Sequence, residues 1–176
     1  MGEVTSISDA LGAGLRAPSA LTKEHEIGKF SSGSPPLDDW LRNRALKAEG
    51  VTSRTYVVCS GRRVVAYYTL AAGAIVRAEL PRRLQRNTPE IVPIMVLGRL
   101  AVDTAMQGKG LGAGMLKEAI VRCVQASEIA GIRAMLVHAK DDDAVKFYKR
   151  YGFVEAALGP QTLLLPIETL RASIKK

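Results

Sequence analysis

The stretch from Ile94 to His138 does most to limit what this chain can fold into. An apolar run, Ile94–Asp103, enters a loop with glycines at alternate positions, Gln107-Gly108-Lys109-Gly110-Leu111-Gly112. That loop opens a helical pattern, Gly110–Ala130, in which Leu111, Met115, Ala119 and Val124 recur at helical spacing. A second apolar run, Ile132–His138, follows at once. Runs this apolar predict central strands, and a helix joining two of them predicts a right-handed parallel crossover. The rest of the chain must then complete a mixed sheet.

Upstream, Ser34 is placed to cap a helix, Pro35 suits its first turn, and Asp38 and Asp39 complement the positive end of its dipole. Leu37, Trp40, Leu41, Ala45 and Ala48 share one face, and Gly50 ends it. Thr55–Ser60 and Arg63–Ile75, rich in Val, Tyr and Thr, predict an antiparallel hairpin turning at Gly61. Leu21–Ile27 reads as a short strand, and residues 1–20 as a loose arm, partly helical around Leu11–Arg16. Arg77–Pro93 is a long, basic, proline-punctuated connection. Downstream, Asp141 can cap a short helix reaching Tyr151 and closed by Gly152, and Phe153–Ala157 and Thr162–Pro166 read as the last strands. The expected fold is α+β, of the α/β type, with a mixed sheet of about six to seven strands flanked by about four helices. A single domain over 21–176 accounts for the pattern.

Twenty-five Lys and Arg against 17 Asp and Glu leave a net charge of +8, which draws the chain toward polyanions. Cys59 and Cys123 stand alone in apolar patterns and read as small buried side chains, as in a reducing cytoplasm. His25 and His138 lie far apart, no His/Cys cluster has ligand spacing, and no metal is expected. The N-terminus lacks an apolar signal core. The longest apolar run, Val64–Val76, falls short of the roughly 20 residues of a membrane span, so no membrane association is expected.

Glycines let a backbone approach a ligand and turn several N–H groups toward one point. A helix N-terminus adds unpaired donors and a positive dipole end, which suits phosphate, and Lys109 can add a mobile charge. The same glycines also fit a plain tight turn, and Gly108 to Ala113 contains a weak dinucleotide-binding pattern. That pattern expects a loop directly after an early strand and an acidic residue ending the next one. Here Asp103–Met106 intervenes and the next strand ends at His138. A P-loop is excluded because Gly110, not Ser or Thr, follows Lys109.

In this strand–loop–helix context, Gln107-Gly-Lys-Gly110-Leu-Gly112 resembles the Arg/Gln-x-x-Gly-x-Gly/Ala signature of the GNAT superfamily of N-acetyltransferases. The resemblance covers most of residues 21–166. It implies that the amides of Gln107, Gly108, Lys109, Gly110, Leu111 and Gly112 hold the pyrophosphate of acetyl-CoA. It also implies that Leu100, Ala101 and Val102 pair with the pantetheine arm like an added strand. Three further stretches are similar to the TacT/AtaT-type toxins: Leu37-Asp-Asp-Trp-Leu41 with its basic continuation to Lys47, Gly98-Arg-Leu-Ala-Val-Asp103, and His138 through Phe153. This narrower resemblance implies acetyl transfer to the α-amine of aminoacyl-tRNA, a block on translation, a ribbon–helix–helix antitoxin as partner, and a homodimer. The residue matching that family's catalytic tyrosine is Tyr148.

The chemistry is coherent from below. An α-amine has a reference pKa near 7.7–8.0, lowered further by the neighbouring ester, so much of it is neutral near pH 7. A strong general base is then less needed than for a lysine, and Tyr148 can donate a proton to the departing thiolate. By the resemblance, a backbone N–H near Leu100–Val102 meets the oxyanion. Plainer readings stand beside functional ones: Tyr148, Phe147, Phe153 and Trp40 as core, Asp103 as a turn former at a strand end or a proton relay, His138 as a satisfied polar core group or a catalytic one. Arg99, interrupting an apolar strand, leaves two readings open, lining the acceptor cleft or pairing with a buried carboxylate. Arg77, Arg82, Arg83 and Arg86 can neutralise RNA phosphates, and Arg42, Arg44 and Lys47 offer a second stripe, although a solvated loop is also basic. The alternatives are a GNAT enzyme acting on a protein N-terminus or small amine, and a cofactor-binding module without catalysis.

Overall fold

The computed structural model describes residues 14–175 and gives them a mixed sheet. In chain order the elements are β1 (Ser19–Ala20), α1 (Pro35–Asn43), α2 (Ala45–Ala48), β2 (Arg54–Ser60), β3 (Arg63–Val76), α3 (Arg82–Gln85) and β4 (Ile91–Val102). Then come α4 (Leu111–Ser127), β5 (Ala134–His138), α5 (Asp142–Arg150), β6 (Val154–Glu155), β7 (Thr162–Pro166) and α6 (Ile167–Ile174). Short 3-10 turns lie at Arg77–Glu79 and Thr104–Met106. Seven strands line up as β1-β2-β3-β4-β5-β7-β6. The crossover through α4 makes β4 and β5 parallel, paired from Ile94↔Ala134 to Leu97↔Val137. The β2–β3 hairpin is antiparallel and turns at Gly61, whose φ of +61° a side chain disfavours. Four of the six helices among the described residues are eight residues or longer, in keeping with the expected number.

Several local expectations are corrected. Ser34 makes no side-chain cap. Pro35 and Pro36 have no N–H to offer, and the amides of Leu37 and Asp38 bond the Ser34 carbonyl at 3.1 Å, leaving the hydroxyl nothing to accept. The single helix expected up to Gly50 breaks at Arg44, where φ is −123°. The early strand falls at Ser19–Ala20 and not at Leu21–Ile27, where turns dominate. Helix α6, which buries Ile167 and Leu170, has no counterpart in the expected pattern. Of the arm, residues 1–13 lie outside the described residues; beyond them, Leu15 bridges Ser60 and Ser19–Ala20 pairs with β2.

The chain divides into two compact units. One comprises described residues 14–71 and 98–119. Its core joins Leu21, Phe30, Leu41, Ala45, Val57, Val64, Tyr67 and Ala101, with Trp40 and Leu37 packed against it. Full burial of a side chain such as Phe30, 1% exposed, contributes about 1.5–3 kcal/mol. The other unit comprises residues 72–97 and those from 120 onward. Its core joins Ile75, Leu80, Leu84, Val92, Ile94, Ala134, Leu136, Ala156 and Leu164. Cys59 and Cys123 are free and buried, and burial pushes the Cys123 thiol up to about 12.

Candidate active site

In the first unit, β4 ends at Val102 and the chain turns through Asp103. The Asp103 carboxylate, 2% exposed, accepts from the amides of Ala105 (3.0 Å) and Ser31 (3.1 Å) and lies 3.4 Å from the Arg63 guanidinium. The reading of Asp103 as a turn former holds. Thr104 N–H returns a bond to Ser31 O at 2.8 Å. Gln107 then spends its side-chain amide on two carbonyls, Ser32 O at 2.8 Å and Val102 O at 2.9 Å. The loop is thereby tied to the strand before it and to Ser31–Ser32. That second segment is fixed in turn by Asp38, which accepts from Ser32 N–H (2.9 Å) and Oγ (2.6 Å).

Beyond these ties the backbone of Gln107–Gly110 is exposed. Gly108 (φ +76°) and Gly110 (φ +81°) take the left-handed backbone with which a loop can aim several N–H groups at one ligand. In the helix that follows, Gly110 O is taken by Gly114 N–H at 3.1 Å, and the amides of the opening turn have no intrahelical acceptor. Gly112 is the informative glycine. A Cβ there would make only an ordinary contact, 3.8 Å from Val102 Cγ2, so nothing in the chain itself requires a glycine. Glycine inside a helix costs about 1 kcal/mol against alanine, and here it leaves the amides open to a close ligand. A pyrophosphate fits this donor set, with exposed Lys109 beside it.

Leu100, Ala101 and Val102 belong to the stretch Gly98–Val102 that extends past the last β5 partner, Leu97↔Val137. Ala101 faces the core, and Arg99, on the same side of the strand, lays its guanidinium 4.1 Å from the Trp40 ring centre. Trp40 stacks on Tyr67 (6.0 Å, 12°), and Tyr67 donates to Leu37 O at 2.7 Å. Of the two readings left open for Arg99, pairing with a carboxylate is not realised among the described residues.

Tyr148 lies in the second unit, on α5. Asp141 caps that helix as expected, accepting from Ala144 N–H at 2.8 Å. Gly152 (φ +93°) reverses the chain, and Phe153 packs its ring edge-on against Tyr148 at 5.3 Å. Phe147 contacts Tyr148 from the neighbouring position at 5.2 Å. Tyr148 is 8% exposed, and burial pushes its phenol above the ordinary value of 10.0, so it stays protonated in neutral solution. Tyr151 is only half-buried and leans on Phe147. His138 is exposed and not, as expected, part of the core, with Nδ1 3.1 Å from Thr162 Oγ1.

The arginines differ in how far they are committed. Arg42 donates to Phe30 O at 2.8 Å and pairs with Asp39 at 3.1 Å, whereas Arg44 is exposed where α1 ends. Arg77 pairs with Glu90 (3.1 Å) and donates to Thr88 O (3.1 Å). Arg82, Arg83 and Arg86 are exposed on and just after α3. Sequence reasoning missed the bracing role of Ser31–Ser32 and Asp38. It also missed the bond from buried Tyr68 to Glu118 on α4. The only local signal for the first was Asp38 six residues after a serine; the second joins residues fifty apart and left none.

The acetyltransferase (GNAT) domain family matches residues 52–155. A tRNA-acetylating toxin of Mycobacterium tuberculosis is 45% identical over 164 residues, covering 92% of this chain and 98% of that protein. Among solved structures, AtaT complexed with acetyl-methionyl-tRNAfMet superposes with a TM-score of 0.84 at 28% identity, over 91% of this chain and 99% of that one. A tyrosine-to-phenylalanine mutant of AtaT, bound to the C-terminus of the antitoxin AtaR and acetyl-CoA, gives 0.78 at 26%, over 92% and 99%.

Proposed function

This chain belongs to the GNAT acetyltransferase family, and from that premise we propose that it is a toxin that acetylates the α-amine of aminoacyl-tRNA. The observation that carries the proposal is the likeness, over nearly the whole chain, to a tRNA-acetylating toxin. The net charge of +8 supports an RNA substrate over a cationic one such as a polyamine. Acetyl-CoA supplies the acetyl group as an activated thioester. The amides of Gln107–Gly112 bind its pyrophosphate, Lys109 adds charge, and Leu100–Val102 offer an unpaired strand edge to the pantetheine arm. A backbone N–H of that stretch meets the negative charge that develops on the carbonyl oxygen. The phenol of Tyr148, kept protonated by burial, gives its proton to the departing thiolate. Arg42, Arg44, Arg77, Arg82, Arg83 and Arg86 are the RNA contacts.

The protein acts in the cytoplasm, where charged tRNA is made, as a homodimer with one acetyltransferase domain over 21–176. A ribbon–helix–helix antitoxin neutralises it. The test is acetylation of bulk charged tRNA by the purified protein with labelled acetyl-CoA, with Tyr148→Phe alongside. Label on the aminoacyl moiety, largely lost in the variant, is expected. Acetyl-CoA binding without label on tRNA would turn the assignment to a protein N-terminus or small amine.

A further inference from the structure

We propose that Arg99, whose guanidinium lies over the Trp40 ring, anchors a backbone phosphate of the RNA end that presents the acceptor amine; this rests on the tRNA reading above. The starting point is an unmet charge. Arg99 is half-buried, and among the described residues no carboxylate comes within salt-bridge range and no hydrogen bond occupies its N–H groups. The carboxylate of Asp38, on the helix that carries Trp40, is committed to Ser32 N–H and Oγ. Burial lowers the guanidinium pKa, which registers the missing solvation, yet an arginine remains charged in neutral solution. The indole contact offsets part of that penalty but uses only the π face. It leaves the planar fork of N–H donors unspent, and that fork matches the paired oxygens of a phosphate.

Nothing about this posture is loose. Trp40 stacks on Tyr67, Tyr67 meets Phe30 edge-on (5.5 Å, 69°), and the Tyr67 hydroxyl is tied to Leu37 O. The cation is therefore held before any ligand arrives, on the strand whose next three residues are the proposed pantetheine edge. Gly98, just before it, is exposed, and a Cβ there would come within 3.0 Å of Thr69 Oγ1. The RNA end that carries the amino acid is single-stranded and brings phosphodiesters close to the reacting amine, so one anion at this place would fix the amine's approach.

The experiment compares two acceptors. One is a short RNA charged with an amino acid at its 3′ end; the other is adenosine carrying the same amino acid through a 3′ amide, with a free α-amine and no phosphate. Arg99→Ala should lose about tenfold or more in kcat/KM on the RNA relative to its loss on the nucleoside, chiefly in KM. The slope of log KM against log salt on the RNA should fall by about 0.7, the share of one phosphate on a single strand. Arg99→Lys, which keeps the charge but not the fork, should recover part of the loss, and Trp40→Phe should show a smaller loss of the same kind. Equal loss on both acceptors, or an unchanged salt slope, would overturn the phosphate anchor while leaving the tRNA reading intact. A wild-type protein that acetylates neither acceptor would overturn the tRNA reading, and the anchor with it.

Discussion

The loop at Asp103–Gly112 and the tyrosine on α5 are positioned by opposite means. The loop is held by polar side chains that bond backbone groups: Asp103 accepts from two amides and Gln107 donates to two carbonyls. Tyr148 is held by carbon, between Phe147 and Phe153. The difference follows from the role proposed for each. A phosphate site needs bare amides in a fixed orientation, so side chains brace it from behind. A proton donor must keep its proton, and an apolar seat secures that by desolvation.

The contrast can be broken by mutation, and the largest effect belongs to the carbon side. Phe153→Ala should destabilise the protein by about 3–5 kcal/mol in chemical denaturation, since Phe153 is 3% exposed and the seat of Tyr148 collapses with it. Tyr148→Phe should lower kcat by roughly 100-fold or more while acetyl-CoA affinity and melting temperature hold, because only the hydroxyl is removed. The pH profile sharpens this. On the acid side the rate should climb as the amine deprotonates, below the free α-amine range of about 7.7–8.0 because of the neighbouring ester. No fall is expected on the alkaline side until above the ordinary phenol value of 10.0, because burial raises the Tyr148 pKa. A decline near pH 9 would remove Tyr148 as the donor.

On the polar side the effects are smaller and differently distributed. Asp103→Ala strips the partners from two amides and should cost about 1–3 kcal/mol of stability together with a higher KM for acetyl-CoA. Gln107→Ala, at an exposed position, should raise that KM by only a few fold with about 1 kcal/mol or less of stability lost. If Gln107→Ala instead lowered kcat and left KM alone, the loop would be positioning the reacting end and the contrast would fail.

The sequence was most legible where one period governs a whole element. The hairpin, the parallel pair around α4 and the Asp141 cap were all readable because local pattern and tertiary environment agree there. It was least legible where a short range carries two instructions. Arg44 sits in an unbroken amphipathic rhythm, yet the helix stops at it. Ser34 looks like a cap, yet Pro36 removes one amide it would serve and the Leu37 amide goes to the Ser34 carbonyl. Helix α6 follows so directly on β7 that Pro166 hides the boundary. For the site, the glycine spacing pointed to phosphate on physical grounds, whereas the choice of Tyr148 over Tyr151 came from resemblance. What separates the two in the fold is the reversal at Gly152, which buries one ring and leaves the other half-covered.

The basic connection between β3 and β4 is a closed structure, not a strap. Arg77 N–H bonds Glu90 O at 2.8 Å while its side chain clips Thr88 O and the Glu90 carboxylate. Inside that clip, Leu80 and Leu84 are buried, Gln85 donates to Leu80 O, and Thr88 donates to Leu84 O. Arg82, Arg83 and Arg86 are therefore carried on a backbone whose conformational entropy was surrendered during folding. A polyanion meeting them needs to immobilise side chains only, so less of its interaction energy is consumed in ordering the protein.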